Sequence, residues 1–132
     1  MIGLDTNVLV RYIMQDDAKQ SLKATKIVEA LDAVENSGYV TMVSIIELVW
    51  VLSASYELTR AQVAQALDSL TQAKQIKIEG ADQVIRALRV FKIGKSDFAD
   101  CLIERSANSA GCEETVTFDV NASKHAGMTL IA

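Results

Sequence analysis

Proline is absent from the 132 residues and glycine occurs only six times, so long flexible linkers are not expected. Cysteine is scarce. Cys101 and Cys112 stand in no metal-ligand pattern and read as reduced thiols of a cytosolic protein. The single histidine, His125, rules out an acid–base mechanism built on paired histidines. No serine lies in a nucleophile elbow, and no Gly-rich dinucleotide or Walker loop is present. The longest apolar stretch, Tyr39 to Leu52, is interrupted by Ser44 and Glu47 and is too short to span a bilayer. The opening Met-Ile-Gly-Leu-Asp has no basic head and no cleavage site, so a cytoplasmic chain without a secretory leader or membrane anchor is expected. No repeat and no low-complexity segment is visible.

Apolar side chains, by contrast, make up half of the sequence. That suffices for a real core, and the length suits one domain over residues 1–132. The formal charge is −4, from 13 basic and 17 acidic residues, which by itself argues against a polyanionic partner. Five of the acids fall in the motifs considered below. Without them the rest of the chain is close to neutral, so a polyanion is permitted, though not required.

Hydrophobic periodicity gives an alternating order of elements. Ile2 to Asp5 reads as a short buried strand and Asn7 to Met14 as a helix. Asp17 to Asn36 carries Leu22, Ile27, Val28, Leu31 and Val34 at near-helical spacing, with Ser37-Gly38 as its stop. Tyr39 to Val43 is a second strand, and Ser44 starts a helix to about Tyr56. Thr59 with Gln62 is a capping-box signature for a fourth helix. Gln75 to Ile78 is a strand. Ala81 to Ile93 is a helix closed by Gly94, and Ser96 or Asp97 opens the next, to Ser109. Glu114 to Phe118, Asn121 to Ala126 and Thr129 to Ile131 follow as strand, helix and strand. Such alternation implies a mostly parallel sheet with helices on both faces, whose ligands bind at the carboxyl edge of the strands.

Acids fall where that edge is expected. Asp5 and Asp119 end strands, and Glu47 lies just after one. Asp97 and Asp100, three apart, share the face of a helix start. Each has an ordinary explanation. Asp5, Asp97 and Asp119 suit helix N-caps, and Ser44-Ile45-Ile46-Glu47 suits a capping box. Together they suggest more. Carboxylates gathered without a counter-ion repel one another, and a hard divalent cation relieves that repulsion. Oxygen ligands without cysteine or histidine suit Mg²⁺ or Mn²⁺ and not zinc. Metal held by few carboxylates, with water and phosphate completing the shell, points to phosphoryl chemistry.

Four segments in order carry a family likeness: Ile2-Gly3-Leu4-Asp5-Thr6-Asn7-Val8-Leu9-Val10-Arg11, Val43-Ser44-Ile45-Ile46-Glu47-Leu48, Asp97-Phe98-Ala99-Asp100-Cys101-Leu102-Ile103 and Val116-Thr117-Phe118-Asp119. Over essentially its whole length the chain resembles the PIN-domain family, and within it the VapC-type toxins of bacterial toxin–antitoxin pairs. The resemblance implies an α/β, three-layer fold around a five-stranded parallel sheet. It implies a site for Mg²⁺, or Mn²⁺ in its place, built from Asp5, Glu47, Asp100 and Asp119. Asp97 is an extra acid one turn from the third position. Thr6, Asn7, Ser44 and Thr117 would support the ligands, although ordinary helix-start and strand chemistry explains them equally well.

The implied reaction is hydrolysis of an RNA phosphodiester, giving 5′ phosphate and 3′ hydroxyl ends. The implied partners are RNA, a cognate antitoxin and a second copy of the chain. The helix Ile45 to Leu52 is apolar nearly all round, which suits either a central core helix or one that meets a partner through Trp50. Arg11 is a candidate contact to RNA phosphate or to an antitoxin acid. Arg86, Arg89 and Lys92, with Lys95, form a second candidate face, or simply a solvated one.

Two other readings compete. A receiver-like phospho-acceptor domain shares the architecture, but Asp5 is followed by Thr6-Asn7 and no late strand ends in lysine. A catalytically silent PIN-like binding module is disfavoured because all four acids are present. Asn7 also breaks the Asp-x-Asp that a haloacid-dehalogenase phosphatase needs.

Overall fold

Helices separate every pair of successive strands in the computed structural model, which describes residues 1–132 and divides into two units, Met1–Glu79 and Gly80–Ala132. The first contains β1 (Ile2–Gly3), α1 (Thr6–Met14), α2 (Ala18–Glu29), β2 (Gly38–Val40), α3 (Met42–Trp50), a π-helical turn (Val51–Ser55), α4 (Arg60–Gln72) and β3 (Ile76–Ile78). Its strands pair in the order β1-β2-β3, all parallel, with Gly38 opposite both Ile2 and Ile76. Parallel neighbours need long crossovers, and the helix pairs α1–α2 and α3–α4 supply them. Leu9, Val40, Ile45, Leu48, Leu52, Val63 and Leu67 are buried completely or almost so.

Several expected boundaries shift for identifiable reasons. The second helix stops at Glu29, not at Asn36. Beyond it, the Asp32 carboxylate accepts from the backbone N–H groups of Val34, Glu35 and Asn36, which winds the chain into a closed turn. Gly38 is not the helix stop but the first residue of the central strand. A Cβ there would lie 2.8 Å from Leu4 Cδ1 and 2.9 Å from Leu31 Cδ1, so any larger residue would require these two leucine side chains to shift. The third helix starts at Met42, two residues before Ser44, because Thr41 is its N-cap and accepts from Ser44 N–H at 3.1 Å. The capping box at Thr59 and Gln62 forms as expected, with both reciprocal bonds present.

The second unit contains α5 (Ala81–Ile93), α6 (Phe98–Ser109), β4 (Val116–Thr117), α7 (Val120–His125) and β5 (Thr129–Leu130). β4 and β5 pair in parallel, so the five strands pair as a set of three and a set of two and not as one continuous ladder. α5 buries Val84, Ala87, Leu88 and Phe91, and α6 buries Phe98, Cys101 and Leu102. Phe91 and Phe98 meet edge to face at 5.7 Å. Neither cysteine forms a disulfide; Cys101 is buried and Cys112 exposed. No helix is long and apolar enough to cross a membrane.

Candidate active site

A groove of about 710 Å³ opens in the first unit, lined by Asp5, Thr6, Asn7, Val10, Arg11 and Glu47 and by Val51, Ser55 and Tyr56 at its far wall. Two of the four acids singled out from sequence therefore face one space. Asp5 caps α1 through a 2.8 Å bond from Thr6 N–H to its Oδ1. Capping engages that oxygen alone, and Oδ2 keeps its lone pairs. Cap and ligand are thus compatible roles for one carboxylate.

Glu47 is a different case. Because α3 starts at Met42, Glu47 is the sixth helical residue and lies beyond reach of the N-terminal N–H groups. It is exposed and makes neither a hydrogen bond nor an ion pair, so the capping-box explanation falls for this residue. Ser44 belongs to the cap itself, accepting from the Thr41 hydroxyl at 3.2 Å, and does not line the groove. Thr6 does line it. Its hydroxyl is buried and has no hydrogen-bond partner, an uncommon state for a buried polar group.

Arg11 is held in place on the groove wall. Its Nε donates to Gln20 Oε1 at 2.7 Å, and its Nη1 donates to Asp16 Oδ1 at 3.2 Å and to the Tyr56 hydroxyl at 3.1 Å. Tyr56 in turn donates to Asp16 at 2.6 Å. The phenol hydrogen bond first, then a hydrogen bond from the Asp16 backbone and the nearby guanidinium, outweigh partial desolvation and lower the Asp16 carboxyl below its ordinary range. Tyr56, Asp16 and Gln20 did not stand out in the sequence. Their relation to Arg11 spans up to 45 residues of chain, and no local pattern encodes it.

The second unit carries the remaining acids. Asp97 caps α6 through Ala99 N–H at 2.9 Å, and Asp119 caps α7 through Asn121 and Ala122 N–H at 2.8 and 3.2 Å. Both use Oδ1 only, as Asp5 does. The Thr117 hydroxyl accepts from Asp119 N–H at 3.0 Å and so fixes the backbone that carries this carboxylate. Asp100, half-buried in the first turn of α6, accepts no hydrogen bond. Desolvation, reinforced by the negative charges of Asp97 and then Asp119, pushes its carboxyl above the ordinary range. Arg86, Arg89, Lys92 and Lys95 are all exposed.

In each unit, taken by itself, the oxygen donors suit a hard divalent cation. The donors are carboxylate oxygens, three of the aspartates keep one oxygen without a protein partner, and the charges acting on Asp100 are both repulsive. No group of three or more acids, histidines or cysteines is gathered tightly enough to enclose an ion. An ion held by few carboxylates and several waters is the usual state of Mg²⁺.

The sequence profile of the PIN domain family matches residues 2–128. The chain belongs to the PIN domain family. As a PIN domain it is also similar to a protein named VapC ribonuclease from Aquifex aeolicus (strain VF5), at 24% identity over 115 residues, 87% of this chain and 84% of that protein. Membership displaces the receiver-like and phosphatase readings, which require other folds, and leaves a nuclease of this family as the supported class.

Proposed function

We propose that this PIN domain is a Mg²⁺-dependent endoribonuclease, able to use Mn²⁺, and the cytoplasmic toxin of a toxin–antitoxin pair. The observation that carries the reading is the groove in which Asp5 and the unpaired Glu47 face the same space. The similarity to a protein named VapC ribonuclease supports RNA as the substrate class, and the antitoxin rests on the motif resemblance to VapC-type toxins. In this reading residues 1–132 act as one nuclease domain, and one family match runs across both units.

Asp5, Glu47, Asp100 and Asp119 are the proposed cation ligands, with Asp97 as their neighbour. When bound, the cation supplies acidification of water and neutralisation of charge on the phosphate. The chain does the positioning. Backbone N–H groups at the starts of α1 and α7 orient the Asp5 and Asp119 carboxylates, and Thr117 steadies the latter. The unpartnered Thr6 hydroxyl is available to donate to a carboxylate or to a water in the groove. Arg11 presents positive charge on the same wall, and Asn7 contributes an amide. Water added to phosphorus with loss of the 3′ oxygen leaves 5′ phosphate and 3′ hydroxyl ends.

α3 supports a partner as well. One face buries Ile45, Leu48 and Val49, while Val43, Ile46 and Trp50 remain exposed, Trp50 by 65%. We assign that exposed face to the homodimer or antitoxin contact.

The deciding experiment incubates partner-free protein with RNA and Mg²⁺. Cleavage leaving 5′ phosphate, lost in chelator and restored by Mg²⁺, is expected. Undiminished cleavage in chelator overturns the mechanism.

A further inference from the structure

α2 carries its cations on one side. Lys19, Lys23 and Lys26 recur at intervals of four and three, so they form a single stripe about 10 Å long. All three are exposed, none makes a hydrogen bond or ion pair, and no acid interrupts the helix before its last residue, Glu29. An unneutralised stripe of this kind has charge left over for a ligand.

The stripe borders a second, narrow groove of about 200 Å³ between α1 and α2, lined by Asn7, Arg11, Gln20, Lys23, Ala24 and Ile27. Asn7 and Arg11 also line the groove that holds Asp5 and Glu47. The two grooves therefore adjoin at these residues. Arg11 stands at their junction, with Nε and Nη1 committed to Gln20, Asp16 and Tyr56 and Nη2 free of protein partners. A guanidinium fixed by two of its nitrogens presents the third with little further loss of freedom.

We propose that the α1–α2 groove is the path of a single RNA strand to the carboxylates. Arg11 Nη2 holds a phosphate next to the cleaved one, and Lys23, with Lys19 and Lys26, holds the phosphates beyond. This deepens the ribonuclease reading and rests on it. A flexible single backbone can follow a charged stripe beside a small groove, the arrangement by which single strands are bound.

The test measures binding of a labelled single-stranded RNA 12-mer to the wild-type chain in chelator, where cleavage does not interfere. Lys23→Gln/Lys26→Gln is compared with Lys74→Gln/Lys77→Gln, a control pair of equal charge on exposed positions of the same unit. The stripe pair is expected to bind about tenfold more weakly and to lower the salt slope by about 1.4, at roughly 0.7 per lost phosphate contact. Lys23→Arg/Lys26→Arg should restore both, and the control pair should change neither. Equal loss in the two pairs, or none in the stripe pair, overturns the path while leaving the ribonuclease reading standing. A wild-type chain that binds no RNA overturns that reading and the path with it. A labelled poly-glutamate peptide is titrated in parallel. If the stripe pair alters binding of the peptide and not of RNA, the stripe is a protein-docking surface and the proposal fails.

Discussion

The Tyr56 hydroxyl lies 2.6 Å from Asp16 Oδ2 and accepts from Arg11 Nη1 at 3.1 Å, which ties the end of the π-helical turn to the groove wall. The phenol does what a lone Arg–Asp pair on the surface does poorly: it fixes the geometry of both partners. π-Helical segments are frequent beside functional sites, and here Val51 and Ser55 line the groove directly.

Tyr56→Phe should release this clamp. The Asp16 carboxyl is lowered in the folded state, first by the phenol bond, so its contribution to stability is full above the ordinary carboxylate range and lost as pH falls. Without the phenol its titration moves back up. Acid unfolding of the variant, followed by circular dichroism, should begin at higher pH than in the wild type. Ribonuclease assays should show a raised KM with a smaller change in kcat, because the proposed role of Arg11 is to bind phosphate.

Glu47→Gln separates ligation from helix stability. Glu47 makes no capping bond, so the melting temperature should stay within about 0.5 kcal/mol equivalent of wild type. Activity should fall at least about a hundredfold, a typical cost of losing an essential charge at a reacting centre. A gel-based cleavage assay with calorimetry on the same preparation checks both.

Asp119 allows the converse separation. Asp119→Ala removes the bonds to Asn121 and Ala122 N–H and should cost about 1 kcal/mol. Asp119→Asn keeps an equally good cap and removes the charge. If Asp119 is a ligand, the asparagine variant melts as wild type and cleaves poorly. Full activity in the asparagine variant would mean that Asp119 is only a cap.

Asp100→Asn should raise the melting temperature in chelator at neutral pH. Asp100 is held above its ordinary range by burial, then by Asp97 and Asp119, so its ionised form opposes folding. For a carboxyl raised in the folded state, that opposition grows as pH rises through its range and vanishes when it is protonated. The gain should therefore disappear as pH is lowered. The same variant should lose most cleavage in Mg²⁺. Loss in Asp97→Asn instead, with Asp100→Asn active, would move the third ligand one turn toward the helix start.

Much of the fold is legible in the sequence because its signals are local. A Thr or Asp before an apolar-periodic run satisfies the first N–H groups of a helix whatever surrounds it, which is why Asp5, Asp17, Thr59 and Asp119 cap helices near the expected places. Gly94 ends α5 for a similar reason. The sequence by itself places the start of α3 at Ser44, whereas Thr41 is its N-cap. Glu79, 37 residues away, accepts from Met42 N–H at 2.8 Å and supports the earlier start. That shift of about one turn takes Glu47 out of the cap and leaves it unpaired on the groove.

By itself, the sequence determined the order of elements and the family, since periodicity, capping and motif order are properties of neighbouring residues. Only the tertiary structure decided which side chains are already spoken for. Arg11 is clamped by Tyr56, Asp16 and Gln20, whereas the α2 lysines remain free. The Thr6 hydroxyl is buried without a partner. Such facts depend on which distant groups reach within about 3 Å of one another, and hydrogen bonding over that range is set by packing, not by spacing along the chain.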